Sequence, residues 1–230
     1  MDSLPPEIRQ RFAFQLRPVK LVKHQHLYKK GDPLDWIYFP ISAVISKYQV
    51  EENGHMIEIA LTGRDGVVGL ASAFDSGVSM HGCQVCIGGT ALRMRFDFVR
   101  KILDRNPELD ADVMAHKSGL LKKMSRRVLC NRYHTVEQRF ATWLLLLVER
   151  TGRLSLSVTH ADGARALGVH RPTITEAAIV LAEKGIIEQA AGRIKILDLQ
   201  RVTELSCECL AEFSIERAES SAPVKDRTAA

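Results

Sequence analysis

Long apolar runs are missing from this 230-residue chain. The longest, Trp143 to Val148, falls far short of the roughly 18 residues that signal a membrane-spanning helix, so no transmembrane segment and no membrane partner are expected. The first residues, MDSLPPEIRQ, lack a basic stretch followed by an apolar one, so no secretory leader is expected either. Cysteine is scarce: five residues, an odd number at irregular spacing, do not make a disulfide framework. A reducing cytoplasm fits these absences. Catalytic motifs are also missing. There is no nucleophile motif, the eight histidines form no HExxH pattern, and the glycines of GRDGVVG do not lead from a strand into a helix as a phosphate loop requires. The chain is therefore not expected to be an enzyme.

What is present is ordinary for a globular protein: 46% hydrophobic and 26% charged residues, enough to build a sizeable core. The formal net charge of +5 permits a polyanionic partner without proving one. The basic charge is concentrated between Lys117 and His134, which hold six lysines and arginines and no acid. Between Thr135 and Gln200 the eight basic and seven acidic residues nearly cancel. A nucleic-acid argument must therefore rest on the placement of side chains.

Three zones follow one another. Residues 15 to 96 read as β structure, with short apolar runs (LYKKGDPLDWIYF, AVISKYQVEENGHMIEIAL, TGRDGVVGL) between turn signals at Lys30-Gly31-Asp32-Pro33, Asn53-Gly54 and Arg64-Asp65-Gly66. Asn53-Gly54 between two such runs predicts a hairpin. Strands this short and regular suggest a sandwich or barrel, preceded by a short helix opened at Pro5-Pro6-Glu7. A long helix is expected from Asn106, with Asn106 as cap and Pro107 in the first turn. Acids lead it and bases close it, matching the helix dipole. Leu109, Val113, Leu120, Met124 and Val128 form a stripe on it that packs either on the chain's own domain or on a second copy. From Thr135 the chain is mostly helical; Phe140, Trp143, Leu144, Leu147 and Val148 form one buried face, and Thr151-Gly152 ends that helix.

The segment from Thr159 to Glu176 carries the function. Thr159 with Asp162 resembles a capping box, and a short helix runs to Leu167. Gly168 stops it, because glycine takes the left-handed turn conformation without strain. A second helix opens at His170 to Pro172 and ends near Gly185. Ala164 lets the two helices cross closely, while Leu167, Val169 and Ile174 fill the corner. This is helix-turn-helix spacing. The outward face of the second helix presents His170, Arg171, Thr173, Thr175 and Glu176 at its N-terminal end, the end that meets base edges in a major groove. Arginine can bind guanine through two hydrogen bonds, glutamate can accept from cytosine, and threonine can contact phosphate or a thymine methyl. Thr159 and His160, at the opening of the first helix, are further candidates for DNA contact. Two alternating segments around Gly192 predict a hairpin wing, from which Arg193 and Lys195 could reach phosphates.

With these residues in view, the chain resembles the Crp/Fnr family of bacterial transcription regulators from about Leu16 to Leu199. GDPLDWIYFPISAVISKY and GRDGVVGL look like that family's glycine-punctuated roll strands. ARALGVHRPTITEAAIVLAEKGIIE followed by GRIKILD looks like its DNA-reading module, with Arg171 where the family has a base- or phosphate-contacting arginine. The resemblance implies an α+β chain: a jelly-roll-like β-roll sensor domain (1–105), a dimerisation helix (106–134) and a winged helix-turn-helix DNA-binding domain (135–215); the polar, small residues that follow read as a disordered tail (216–230). It implies double-stranded DNA and a second copy as partners, and admits RNA polymerase and a small-molecule effector of unknown identity.

The sequence also departs from the family. The cyclic-nucleotide site uses a glycine–glutamate pair and an arginine followed by serine or threonine. Here Leu70 follows Gly69, Ser79-Met80-His81 stands at the phosphate position, and no arginine lies between Arg64 and Arg93. Cyclic AMP is therefore not the expected effector. The first cysteine is Cys83, so an N-terminal iron–sulfur cluster is not expected and no cofactor is assigned. Pro172 and Glu176 differ from the receptor-type recognition helix, and Gly163 lies mid-helix where an apolar residue is usual, at a backbone cost of about 1 kcal/mol. Cys83 and Cys86 fall on opposite faces of a strand and Cys207 and Cys209 point two ways on an expected helix, so no metal site is expected from either pair. The competing reading is a small-molecule- or protein-binding module whose paired helices are only a docking surface.

Overall fold

The computed structural model describes residues 6–72 and 77–214. The predicted tail from 216 and the Pro5 of the first helix lie outside the described residues. Helix α1 (Pro6–Gln15) leads into seven strands: β1 (Arg17–Leu21), β2 (His26–Tyr28), β3 (Trp36–Pro40), β4 (Val44–Val50), β5 (Met56–Thr62), β6 (Gly82–Ile87) and β7 (Gly89–Arg95). They form two antiparallel sheets, in the orders β1-β7-β3 and β2-β6-β4-β5. Asn53-Gly54 lies in the β4–β5 turn, where the Glu51 amide donates to the His55 carbonyl at 2.9 Å. Alternation drives the packing: in β6, Cys83, Val85 and Ile87 are buried while Gln84 and Cys86 are less so. Leu21, Ile37, Ile45, Val68, Val85, Ala91 and Met94 fill the space between the sheets. Cys83 lies among them, and burial pushes its thiol up to about 11.

Helix α2 (Phe96–Leu103) closes the roll with Phe96, Val99, Ile102 and Leu103 buried. A single 3-10 turn, Pro107–Leu109, then precedes the 24-residue helix α3 (Asp110–Tyr133). Asn106 does not cap this region with its side chain, contrary to expectation; its Nδ2 donates back to the Ile102 carbonyl at 2.6 Å. The expected stripe on α3 also divides. Leu109 and Val113 are buried in the core of the roll, because the start of α3 lies against it, so they are not available to a second copy. Leu120 and Met124 are half-buried. Met114, Leu121 and Val128 point outward, exposed at 55%, 66% and 72%, with Leu129 and Tyr133 also exposed near the end of the helix. Met114, Leu121 and Val128 repeat every seven residues, the spacing of a coiled-coil seam.

Helix α4 (Val136–Thr151) is opened by a capping box between Thr135 and Gln138. One buried face was expected, but α4 is buried on nearly every side, with Ala141, Thr142, Leu145 and Leu146 enclosed along with Phe140, Trp143, Leu144 and Leu147. It is covered twice: Val44, Leu61 and Ile87 of the roll and Ile174, Ala177 and Leu181 of the C-terminal region share one core with it. Two arginines go in with it. Arg150, 2% exposed, pairs with Asp65 at 3.3 Å and donates to the Phe213 carbonyl at 2.9 Å. Next come β8 (Ser155–Leu156), α5 (His160–Leu167), α6 (Arg171–Glu183), β9 (Ile187–Ala190), β10 (Arg193–Ile196), α7 (Leu199–Leu205) and α8 (Leu210–Phe213). Cys207-Glu208-Cys209, expected on a helix, forms the turn between α7 and α8. Among the described residues no helix is long and apolar enough to cross a membrane.

The double cover of α4 makes a direct prediction. Leu146→Ala removes a side chain that is 1% exposed. It should lower stability by about 2–5 kcal/mol in denaturant unfolding, where an exposed position would cost under about 0.5 kcal/mol.

Candidate nucleic-acid interface

The corner of α5 and α6 is built as the sequence dictates. The Asp162 amide donates to Thr159 Oγ1 at 3.2 Å, and the Thr159 amide donates to Asp162 Oδ2 at 2.8 Å, which closes the capping box. Gly168 ends α5 at φ 63°, a left-handed conformation that an L side chain resists. Arg139, from α4, donates to the Leu167 carbonyl and so satisfies an acceptor at the end of α5. Gly163 is not the weak point its helix propensity suggests. A Cβ there would lie 3.2 Å from both Ile174 and Phe140, so glycine is what lets α5 cross α6 and α4 at this distance.

Ile174, Ala177, Ala178 and Leu181 turn inward and fix α6. His170, Arg171, Pro172 and Glu176 are exposed, so the leading end of α6 is open to solvent; Thr173 is half-buried. Three expected contact residues are engaged inside the protein. The Thr159 hydroxyl donates to Asp162 Oδ2 at 2.9 Å. The Thr175 hydroxyl donates to the Arg171 carbonyl at 3.1 Å and lies 3.0 Å from His160 Nδ1, so His160 and Thr175 tie α5 to α6. On the wing, β10 pairs with both β9 and β8. Arg193 and Lys195 are exposed there, and Lys195 lies 3.7 Å from Glu188. Sequence reasoning missed Ile179 and Val180, which are exposed on the outer side of α6.

It also missed how the corner is held to the roll. Asp162, beyond closing the box, accepts from Lys23 Nζ at 2.7 Å and lies 2.8 Å from His24 Nε2. Arg165, three residues along α5, adds a second cation beside Lys23 on the same carboxylate. Burial alone would push the Asp162 carboxyl up, but the hydrogen bonds from Lys23, His24 and the Thr159 backbone, with the Lys23 charge, hold it well below the usual range. Ile57 of β5 lies against Gly168, and an open groove of about 680 Å³ runs from the β4–β5 hairpin to Val169 and His170. No local motif in the sequence signals a contact between residues this far apart. A second cavity, about 310 Å³, lies between β5 and α3 and is faced by Lys47, Asp65, His116 and Lys123. At the position of the family's phosphate-gripping pair, Ser79 is buried and its hydroxyl donates to the His81 carbonyl at 2.5 Å.

Comparison with known proteins follows the same division. The model of the Crp-like helix-turn-helix domain matches residues 138–205, and that of the cyclic nucleotide-binding domain matches residues 18–106. The transcriptional regulator SdrP of Thermus thermophilus is 27% identical over 180 residues, covering 76% of this chain and 85% of that protein. The CRP-like cAMP-activated global transcriptional regulator of Mycobacterium tuberculosis is 23% identical over 195 residues, covering 82% of this chain and 87% of its own. Among solved structures, FixK2 from Bradyrhizobium japonicum superposes with a TM-score of 0.69 at 19% identity, over 84% of this chain and 98% of that one.

Asp162 predicts an acid-sensitive fold. Its carboxyl is held low in the folded state, so its contribution is present above the ordinary carboxylate range, about pH 4, and is lost as pH falls below it. Glu58 acts in the opposite sense: burial raises it, so its contribution is lost as pH rises. Thermal melts followed by circular dichroism should show the midpoint falling on acidification, and Asp162→Asn should flatten that fall.

Proposed function

The chain belongs to the Crp/Fnr family of transcription regulators, and on that premise we propose that it acts as a homodimer whose two α6 helices read a pseudo-palindromic site in duplex DNA. Its DNA-binding part is a Crp-like helix-turn-helix. The observation that carries the finer reading is the leading end of α6: His170, Arg171 and Glu176 are exposed on a helix whose opposite face is locked by Ile174, Ala178 and Leu181. Arg171 and Glu176 are the base-reading side chains, with His170 and Thr173 beside them. Arg193 and Lys195, exposed on the wing, take phosphates. Thr159, His160 and Thr175 position these helices and do not themselves reach DNA.

The second copy is proposed to cover the seam of Met114, Leu121 and Val128 on α3. A symmetric pairing there would place two recognition helices about one helical turn of DNA apart. Residues 1–105 are then the sensor, 106–134 the pairing segment and 135–215 the reader, with RNA polymerase the partner through which the bound dimer acts. The cAMP activation in the mycobacterial relative's name does not carry over to this chain. A buried nucleotide phosphate needs a charged partner or an amide nest, and no arginine lies between Arg64 and Arg93.

The test is Arg171→Ala on duplexes selected from a random pool by the wild-type chain. Binding should weaken by about 1–3 kcal/mol, and base preference should relax at one position in each half-site. Unchanged affinity with unchanged preference would contradict the assignment and favour a docking role for these helices.

A further inference from the structure

Four side chains that the DNA-binding reading leaves unused converge where α3 meets the C-terminal turn. Cys130 is on the last turn of α3 and His134 follows the helix directly, four residues on. Cys207 and Cys209 come from the turn between α7 and α8. The three thiols are buried at 0%, 2% and 0% exposure. The three Sγ atoms and one His134 ring nitrogen all lie within 4.8 Å of one another. Cys130 Sγ is 3.7 Å from Cys207 Sγ, and Cys209 Sγ is 3.6 Å from His134 Nδ1.

These separations have a chemical meaning. A tetrahedral zinc ion with sulfur at about 2.3 Å and imidazole nitrogen at about 2.0 Å sets its ligand atoms about 3.5–3.8 Å apart. The surroundings agree. The far nitrogen of His134, Nε2, lies 2.9 Å from Glu208 Oε2, the carboxylate partner that orients a ligating histidine and turns its other nitrogen inward. Arg126 Nε donates to Cys209 Sγ at 3.1 Å, and Thr142 Oγ1 lies 3.1 Å from Cys207 Sγ. Three thiolates and a neutral imidazole around a divalent cation carry one net negative charge, and the Arg126 guanidinium is the cation beside it. A disulfide between Cys130 and Cys207 would use two of the four groups and leave Cys209 and the oriented imidazole with no role.

We propose that Cys130, His134, Cys207 and Cys209 form a structural zinc site that clamps the end of α3 to the C-terminal turn. Donors of this set in tetrahedral array suit zinc better than a hard cation such as magnesium or calcium. The ion would fix the junction between α3 and α4 from outside the helices. The inference does not depend on which DNA is read.

The full-length chain, purified under anaerobic reducing conditions without chelator, should contain about one equivalent of zinc by mass spectrometry of the metal. Exchange with Co²⁺ should give the visible absorption of a tetrahedral site together with thiolate charge-transfer bands. Cys130→Ser and Cys207→Ser should lose the metal. Because these variants could also fail to fold, Glu208→Gln provides the second test: its side chain is exposed at 67%, and its loss should weaken zinc affinity about 10- to 100-fold against a competing chelator with an unchanged circular dichroism spectrum. A wild-type chain that holds less than about a tenth of an equivalent and takes up Co²⁺ without a tetrahedral spectrum would overturn the proposal. So would recovery of a Cys130–Cys207 disulfide as the form made in the cell.

Discussion

The burial of α4 is the constraint on which the rest of the molecule depends. A helix with solvent on one side could turn with the domain it belongs to. This one is enclosed by the roll on one side and by α5 and α6 on another, within a single core. Its Phe140 touches the site where Gly163 brings α5 in closest, its Arg139 holds the end of α5, and its Arg150 reaches both the roll and the C-terminal end. Helix α6 therefore inherits its position from α4, and α4 inherits its own from the roll. Side chains in such a core sit close-packed in defined rotamers, so a shift of the roll against α4 would be passed to α6 as displacement.

Ionic contacts between the two halves add register to this packing. Glu58 and Arg127 lie 3.7 Å apart, Asp65 meets Arg150, and Asp162 gathers Lys23, His24 and Arg165. All but the Arg165–Asp162 pair, which lies within α5, join the roll to the helical half of the chain. The Glu58–Arg127 and Asp65–Arg150 pairs are buried on both sides; such pairs contribute little net stability, because desolvation offsets the attraction, but breaking one by removing a single partner is costly. Their effect is selective: of the ways α5 could lie on the roll, few match every charge to its partner.

The recognition corner was legible in the sequence because its determinants are local. Thr159, Asp162, Gly168 and Pro172 fix caps and turns within a few residues of themselves, and the structure has α5 and α6 where those signals put them. The β zone was legible for the same reason, since alternation and turn residues act over short stretches. How the stripe on α3 divides was not legible, because periodicity reveals an apolar stripe but not which part of it the chain's own domain will cover, and the roll covers Leu109 and Val113. The enclosure of α4 was underestimated because a run such as WLLLLV reads the same with one cover or two. Lys23 and Asp162, 139 residues apart, meet through tertiary packing alone. The turn at Ser206 to Cys209 carries neither glycine nor proline, so nothing announced that two thiols would swing together.

The account stands or falls on two copies of α6 lying in successive major grooves. Hydroxyl-radical and methylation-interference footprinting of the wild-type chain on a selected duplex tests this most directly. Two protected half-sites on one face of the duplex, with guanine contacts about 10 base pairs apart centre to centre, are the predicted result. A single protected patch, or uniform protection that does not depend on sequence, would contradict it.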